Sequence, residues 1–247
     1  MHLLLTNDDG IAASGLQSLV KAALAQGHKV TICAPQTQQS AMSHRLTITN
    51  SLMAREYPFE GAKAYAIDGS PVDCVRVGQY LADGPLDFCL SGINDGENIG
   101  TALYYSGTAG AAREASMLNL PAMAISIGQQ ASEEMLMNLA NEALNVMMLL
   151  KDKPMPRLTF CNINAKAVEP KDLRPLILAQ ISDSFYLDQY IRRVNPRGVS
   201  YFWIEAGEQM EPAAPDTDVA LYKEGYITCT FVGGFADKND HFRFLTQ

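Results

Sequence analysis

Short apolar runs that stop on acidic or glycine-bearing turns alternate along this chain with stretches of helical periodicity. Leu3, Leu4 and Leu5 are consecutive and end at Asn7-Asp8-Asp9-Gly10. An unbroken run of this kind reads as a strand buried on both faces, beginning at residue 2 or 3. Leu16, Leu19, Val20, Ala23 and Leu24 then fall on one face of a helix, with Ser14 as its cap and Gly27 as its stop. Residues 29–34 form a second strand ended by Pro35, which makes a strand–helix–strand unit with a right-handed crossover. Residues 46–49 and 64–67 read as strands of a small hairpin-like insertion. Ser70, Pro71 and Asp73 are the cap, first and third positions of a helix start. Further strands are expected at 86–91, 121–127 and 157–164, with helices after Tyr105 and over residues 132–151. This alternation predicts an α/β fold with a doubly wound, mostly parallel, Rossmann-like sheet. From about Glu169 the pattern changes to prolines, polar breaks and aromatic pieces at 201–204 and 226–231. These predict C-terminal β-hairpin extensions on a single domain spanning 1–247, whose core covers about 1–168 and whose remainder, about 169–247, serves oligomerisation. The aromatic stretch 195–231 is expected mainly at a subunit interface.

Composition narrows the partners. The chain has 247 residues, is 47% hydrophobic, and carries 19 basic against 27 acidic residues, a formal charge of −8. That balance argues against a nucleic-acid polymer or an anionic membrane as the main partner. A small anionic substrate fits only if a cation mediates. No basic leader precedes an apolar stretch, and the longest apolar runs fall short of a membrane span, so a cytoplasmic protein is expected. The five cysteines are widely spaced without a Cys-x-x-Cys, the pattern of core thiols in a reducing compartment.

The candidate chemistry begins with Asp8 and Asp9. Neighbouring carboxylates repel in a partly desolvated loop unless something positive sits beside them, and a hard divalent cation is the simplest such partner. The competing reading is an ordinary helix-entry turn. The dinucleotide fingerprint is absent, since acids replace its glycines. The polar stretch 36–45 follows the second strand, so Ser40 lies beside the aspartates and could lend a hydroxyl oxygen, while His44 and Arg45 suggest an anion clamp. A second concentration spans 91–100, where glycines at 92, 96 and 100 alternate with Asn94, Asp95, Glu97 and Asn98. Such a loop can turn backbone amides toward an anion and side-chain oxygens toward a cation. Ser106, Gly107 and Thr108 then open a helix with free N–H groups, hydroxyls and no bulk, the features a phosphate needs.

Several long motifs carry a resemblance. LLTNDDG (4–10), Ser40, DGSPVDCV (68–75), SGINDGEN (91–98), YSGTAGAAREAS (105–116), NPRGVSYFWI (195–204) and DTDVALYKEGYITCT (216–230) occur in order over nearly the whole chain. The set resembles the survival protein SurE family of metal-dependent nucleotidases. The resemblance implies hydrolysis of nucleoside 5′- and 3′-monophosphates with one divalent metal ion, in a homodimer or homotetramer with swapped carboxy-terminal elements. By position it implies Asp8, Asp9, Ser40 and Asn94 as metal ligands, with Asp8 and Asp9 catalytic. Four oxygen ligands without clustered histidines favour Mg²⁺ or Mn²⁺ over zinc. Asn98, Ser106, Gly107 and Thr108 would bind the substrate phosphate. The chain departs from the family pattern at residues 12–14, at Gln36, at Ala41 and at Thr101-Ala102, none of them an implied ligand. A noncatalytic nucleotide-binding regulatory module, and a transferase using a second substrate, are the rival readings.

Overall fold

The structure, a computed structural model, describes residues 1–153, 155–185, 187–205, 207 and 214–233. The first half alternates as β1 (His2–Thr6), α1 (Ser14–Ala25), β2 (Lys29–Pro35), β3 (Ala54–Glu56), β4 (Lys63–Ile67), α2 (Pro71–Leu81) and β5 (Phe88–Asp95). A 3₁₀ turn (Gly100–Tyr104) leads into α3 (Gly107–Met117), β6 (Ala122–Ile127), α4 (Glu133–Leu150) and β7 (Phe160–Ala165). After these come β8 (Arg174–Leu178), β9 (Gln189–Val194), β10 (Ser200–Glu205), α5 (Asp218–Lys223) and β11 (Tyr226–Val232).

Among the described residues, nine strands make one sheet in the order β3-β4-β2-β1-β5-β6-β7-β11-β8. From β4 to β7 the neighbours run parallel, whereas β3 and β11 are antiparallel to β4 and β7. The chain winds outward from β1 through β2 to β4, then returns to β5 on the other side of β1. That reversal opens a crevice beyond the carboxyl ends of β1 and β5, where an open α/β sheet binds its ligand. Register sets the two rims level, because Thr6 at the end of β1 lies opposite Ser91 in β5.

Strand alternation builds two cores from one leucine run. Leu3 and Leu5 pack with α1 and α4 residues such as Leu19 and Leu144, while Leu4 points to the opposite face against α2 and α3, where Val75 and Ala112 lie. Burial on both faces explains why β1 has no polar alternation. Helix starts follow their caps: Ser70 and Asp73 form a reciprocal capping box on α2, Ser106 caps α3 and Ser132 caps α4.

Three local expectations change. Ala13, not Ser14, is the cap of α1, and it offers no side-chain bond. Residues 46–49 are not a strand, because the Thr47 N–H and hydroxyl both donate to the Asp73 carboxylate, at 2.8 Å each; β3 pairs with β4 instead. Residues 226–231 lie within β11 of the main sheet, and Ile227, Cys229 and Thr230 are buried in the chain's own core. The sheet therefore continues past residue 168, and the expected interface role fails for this segment. The other aromatic piece does stand apart: β9 and β10 form a two-stranded antiparallel hairpin, with Tyr190, Phe202 and Trp203 exposed. The rest of the expected extension at 208–213 and 234–247 lies outside the described residues.

Candidate active site

The turn after β1 is self-stitched. Asn7 donates from Nδ2 to the Gly10 carbonyl at 2.9 Å and accepts the Gly10 N–H at 3.2 Å, which aims the next two side chains apart. Asp8 points inward and is only 3% exposed. It accepts the Thr108 N–H at 3.2 Å and a short hydrogen bond from the Thr108 hydroxyl. Gly107 permits this approach, since a Cβ there would lie 3.0 Å from the Asp8 side chain. Burial pushes the Asp8 carboxyl up to about 6; the Thr108 bonds oppose the shift and the nearby Asp9 charge adds to it. Asp9 points the other way, accepting the Asp95 N–H at 3.0 Å and the Gln38 amide at 3.4 Å.

Asp8, Ser40, Asn94, Asn98 and Ser106 line one cavity of about 550 Å³ at the switch point. Asp9 borders an adjoining cavity of about 470 Å³ together with Asp95. Gly107 and Thr108 sit behind Asp8 rather than on the cavity wall, and the donors of Thr108 are spent on that carboxylate. Asn94 donates from Nδ2 to the Gly96 carbonyl at 2.7 Å, so its amide oxygen is free of any hydrogen bond among the described residues. Ser106 accepts the Ala109 N–H at 3.0 Å as a helix cap and keeps its hydroxyl proton for another partner. Asn98 is anchored through its N–H to Asn164 Oδ1 at 2.7 Å and through Nδ2 to the Ser126 hydroxyl at 2.8 Å.

The Ser40 loop is docked on α3. The Gln39 N–H donates to the Asp8 carbonyl at 2.7 Å, while Ser43 donates from N to the Tyr105 carbonyl at 2.9 Å and from Oγ to the Tyr104 carbonyl at 2.6 Å. Gly110 leaves room for this docking: a Cβ there would lie 2.3 Å from the Ser43 oxygen. His44 and Arg45 do not form a clamp on the cavity. His44 Nε2 pairs with Glu114 at 2.6 Å, Arg76 takes the other Glu114 oxygen at 2.6 Å, and Arg45 lines a separate cavity of about 580 Å³ beside α2. Burial raises the pKa of Glu114, but the hydrogen bond from His44 and the Arg76 charge outweigh it and leave the group below its usual range.

Sequence reasoning missed Glu114, Asn162 and Asn164. The two asparagines stand at i and i+2 in an otherwise apolar buried strand, which demands partners inside the fold. Both donate to the Asn98 carbonyl, at 3.0 and 3.3 Å. It also missed Asp218, nearly fully buried, which accepts from Gly100 and Ser182 and ties two loops together.

Among the described residues, no lysine or arginine lines the 550 Å³ cavity, while Asp8, Asp95 and Asp188 do. An anionic ligand therefore needs a cation with it, and the donors present are hard oxygens of carboxylate, hydroxyl and amide type. No cluster of three His, Cys, Asp or Glu residues with metal-binding geometry occurs among the described residues, so a cation would rely on the neutral oxygens as well. Such a mixed oxygen set fits Mg²⁺ or Mn²⁺ better than zinc.

These features define a doubly wound α/β protein with an oxygen-lined, negatively charged ligand site at its switch point. The family model for the survival protein SurE matches residues 3–187, so the chain belongs to the SurE family. A protein of Nitratidesulfovibrio vulgaris named 5′-nucleotidase SurE is 38% identical over 231 residues, covering 93% of this chain and 86% of its own length. One of the same name from Desulforamulus reducens is 37% identical over 238 residues, covering 93% and 91%. The crystal structure of the SurE protein from Aquifex aeolicus superposes with a TM-score of 0.84 at 27% identity, covering all of both chains.

Proposed function

We propose that this protein is a metal-dependent phosphomonoesterase that hydrolyses nucleoside 5′- and 3′-monophosphates to nucleoside and phosphate. The observation that carries the reading is a cavity with three carboxylates and, among the described residues, no basic residue on its wall, in a chain whose relatives are named 5′-nucleotidases. A dianionic phosphate enters such a site only with a cation. The family implies a divalent metal ion, and Asp8, Ser40 and Asn94 from this cavity, with Asp9 from the adjoining one, would hold Mg²⁺ or Mn²⁺. When bound, the ion supplies charge neutralisation and polarisation of the phosphoryl group.

The remaining work falls to the chain. The Ser106 hydroxyl and Asn98 would hold phosphoryl oxygens as charge builds on them, at the amino terminus of α3 where the helix dipole favours an anion. Thr108 holds Asp8 in one orientation through two hydrogen bonds. Held in that orientation, Asp8 is the residue placed to take a proton from water.

The same reading makes the molecule a cytoplasmic homodimer or homotetramer. The exposed aromatic surface of the β9–β10 hairpin supports self-association, and the five described cysteines, all free and buried, suit a reducing compartment. No helix among the described residues is long and apolar enough to cross a membrane.

Phosphate release from a panel of nucleoside monophosphates, with Mn²⁺ or Mg²⁺ and again in excess chelator, tests the proposal. Release should stop in chelator and return with either metal, while circular dichroism stays unchanged. Tight nucleotide binding without phosphate release would replace the enzyme by a regulatory module, and full turnover in chelator would remove the metal.

A further inference from the structure

Part of the lining of the 550 Å³ cavity is not used by phosphate chemistry. Tyr105, Phe185 and Asp188 contribute to its wall. The two rings are 68% and 45% exposed, and neither has a ring or cation partner among the described residues. They come from segments that are stitched together. The Ser184 carbonyl, next to Phe185, accepts from the Thr101 N–H and hydroxyl at 3.0 Å each. Asp218 reinforces the seam from beneath, taking the Gly100 N–H on one oxygen and the Ser182 N–H on the other, both at 2.9 Å. The 3₁₀ turn that begins at Gly100 runs directly into Tyr105, so both aromatics are carried on one braced rim.

We propose that Tyr105 and Phe185 form a stacking clamp for the nucleobase, and thereby set the preference of the site for nucleoside monophosphates over aliphatic phosphate esters. Resting on the phosphomonoesterase reading, this names the group that the aromatic lining of the same cavity recognises. Charge selects the occupant: a second phosphate there would meet the Asp188 carboxylate, whereas a flat neutral ring meets two unpartnered aromatic faces. Stacking tolerates any base, because every base offers a π-face, so the clamp favours nucleotides as a class.

The test compares Phe185→Ala, Tyr105→Ala and the double variant with the parent on adenosine monophosphate and β-glycerophosphate, with Mn²⁺ present. Both side chains are exposed, so truncation leaves the core intact. The ratio of kcat/KM for the nucleotide over the glycerol ester should fall about tenfold in each single variant, through KM, and Phe185→Trp should restore it. An unchanged ratio in the double variant overturns the clamp and leaves phosphomonoesterase activity standing. Should the parent cleave neither ester, the enzyme reading fails separately. The clamp is then judged by nuclear magnetic resonance titration with adenosine monophosphate, where Kd should rise about tenfold on Phe185→Ala and an unaltered Kd rejects it.

Discussion

At the scale of a residue, Asp8 sets function against stability. Its carboxyl is nearly fully buried and its pKa is raised to about 6, so the fold prefers the protonated form. For an acid shifted upward, the contribution to stability is fully present below the unfolded value near 4 and is lost as pH rises through about 6. Without metal, that loss amounts to about 3 kcal/mol at most, from a shift of roughly two pKa units. Asp8→Asn keeps an acceptor for Thr108 but carries no charge. In chelator at pH 8 it should melt above the parent, while phosphate release falls by a factor on the order of 100 or more. A melting temperature below the parent's at pH 8 would refute the burial cost. Thr108→Val removes the hydroxyl bond that holds Asp8 ionised and oriented. Mn²⁺ affinity should drop about tenfold or more, as for other partners of ligand carboxylates, and the acid limb of the pH–rate profile should move upward. Titration calorimetry and a pH series together read both effects.

Elements bring these residues into register. The Ser40 loop reaches the cavity because α3 has no side chain at Gly110 and because Ser43 bonds the carbonyls at the end of the preceding 3₁₀ turn. The buried Glu114, paired with His44 and Arg76, holds the same loop from its far end. Gly110→Ala would force its new methyl against the Ser43 carbonyl, and the loop, rather than the helix, has room to move. Helix content by circular dichroism should stay at the parental level while Mn²⁺ affinity falls about tenfold, the size of effect expected when a ligand loses its support. Parental affinity in Gly110→Ala would show that the loop docks independently of α3.

At the scale of the whole molecule, the sheet closes over its own second half with β11 and β8, and the β9–β10 hairpin is left outside it. Tyr190, Phe202, Trp203 and Ile204 are all more than half exposed on that hairpin. Two-stranded ribbons are marginal alone, and aromatic area of this kind is enriched at subunit interfaces. Sedimentation at micromolar concentration should give a dimer or larger, and Phe202→Asp with Trp203→Asp should shift it toward monomer. A parent that sediments as a monomer at that concentration would leave the hairpin without this explanation.

Local pattern was enough to fix the alternating α/β core, the cap of α2, and the placing of Asp8, Asn94, Asn98 and Ser106 at strand and helix ends. Those features depend on neighbours within a few residues, where periodicity, capping chemistry and glycine turns act directly. Tertiary structure alone decided the rest. That Thr108 serves Asp8 rather than open space follows from how closely α3 approaches β1. That Glu114 and His44 pair, and that Asn162 and Asn164 hold Asn98, follows from contacts across 64, 66 or 70 positions of chain. The clearest case is β11: an aromatic, β-branched run reads alike as a hairpin arm and as a core strand. Only its pairing with β7, some 68 positions away, removes its face from water and makes it part of the core.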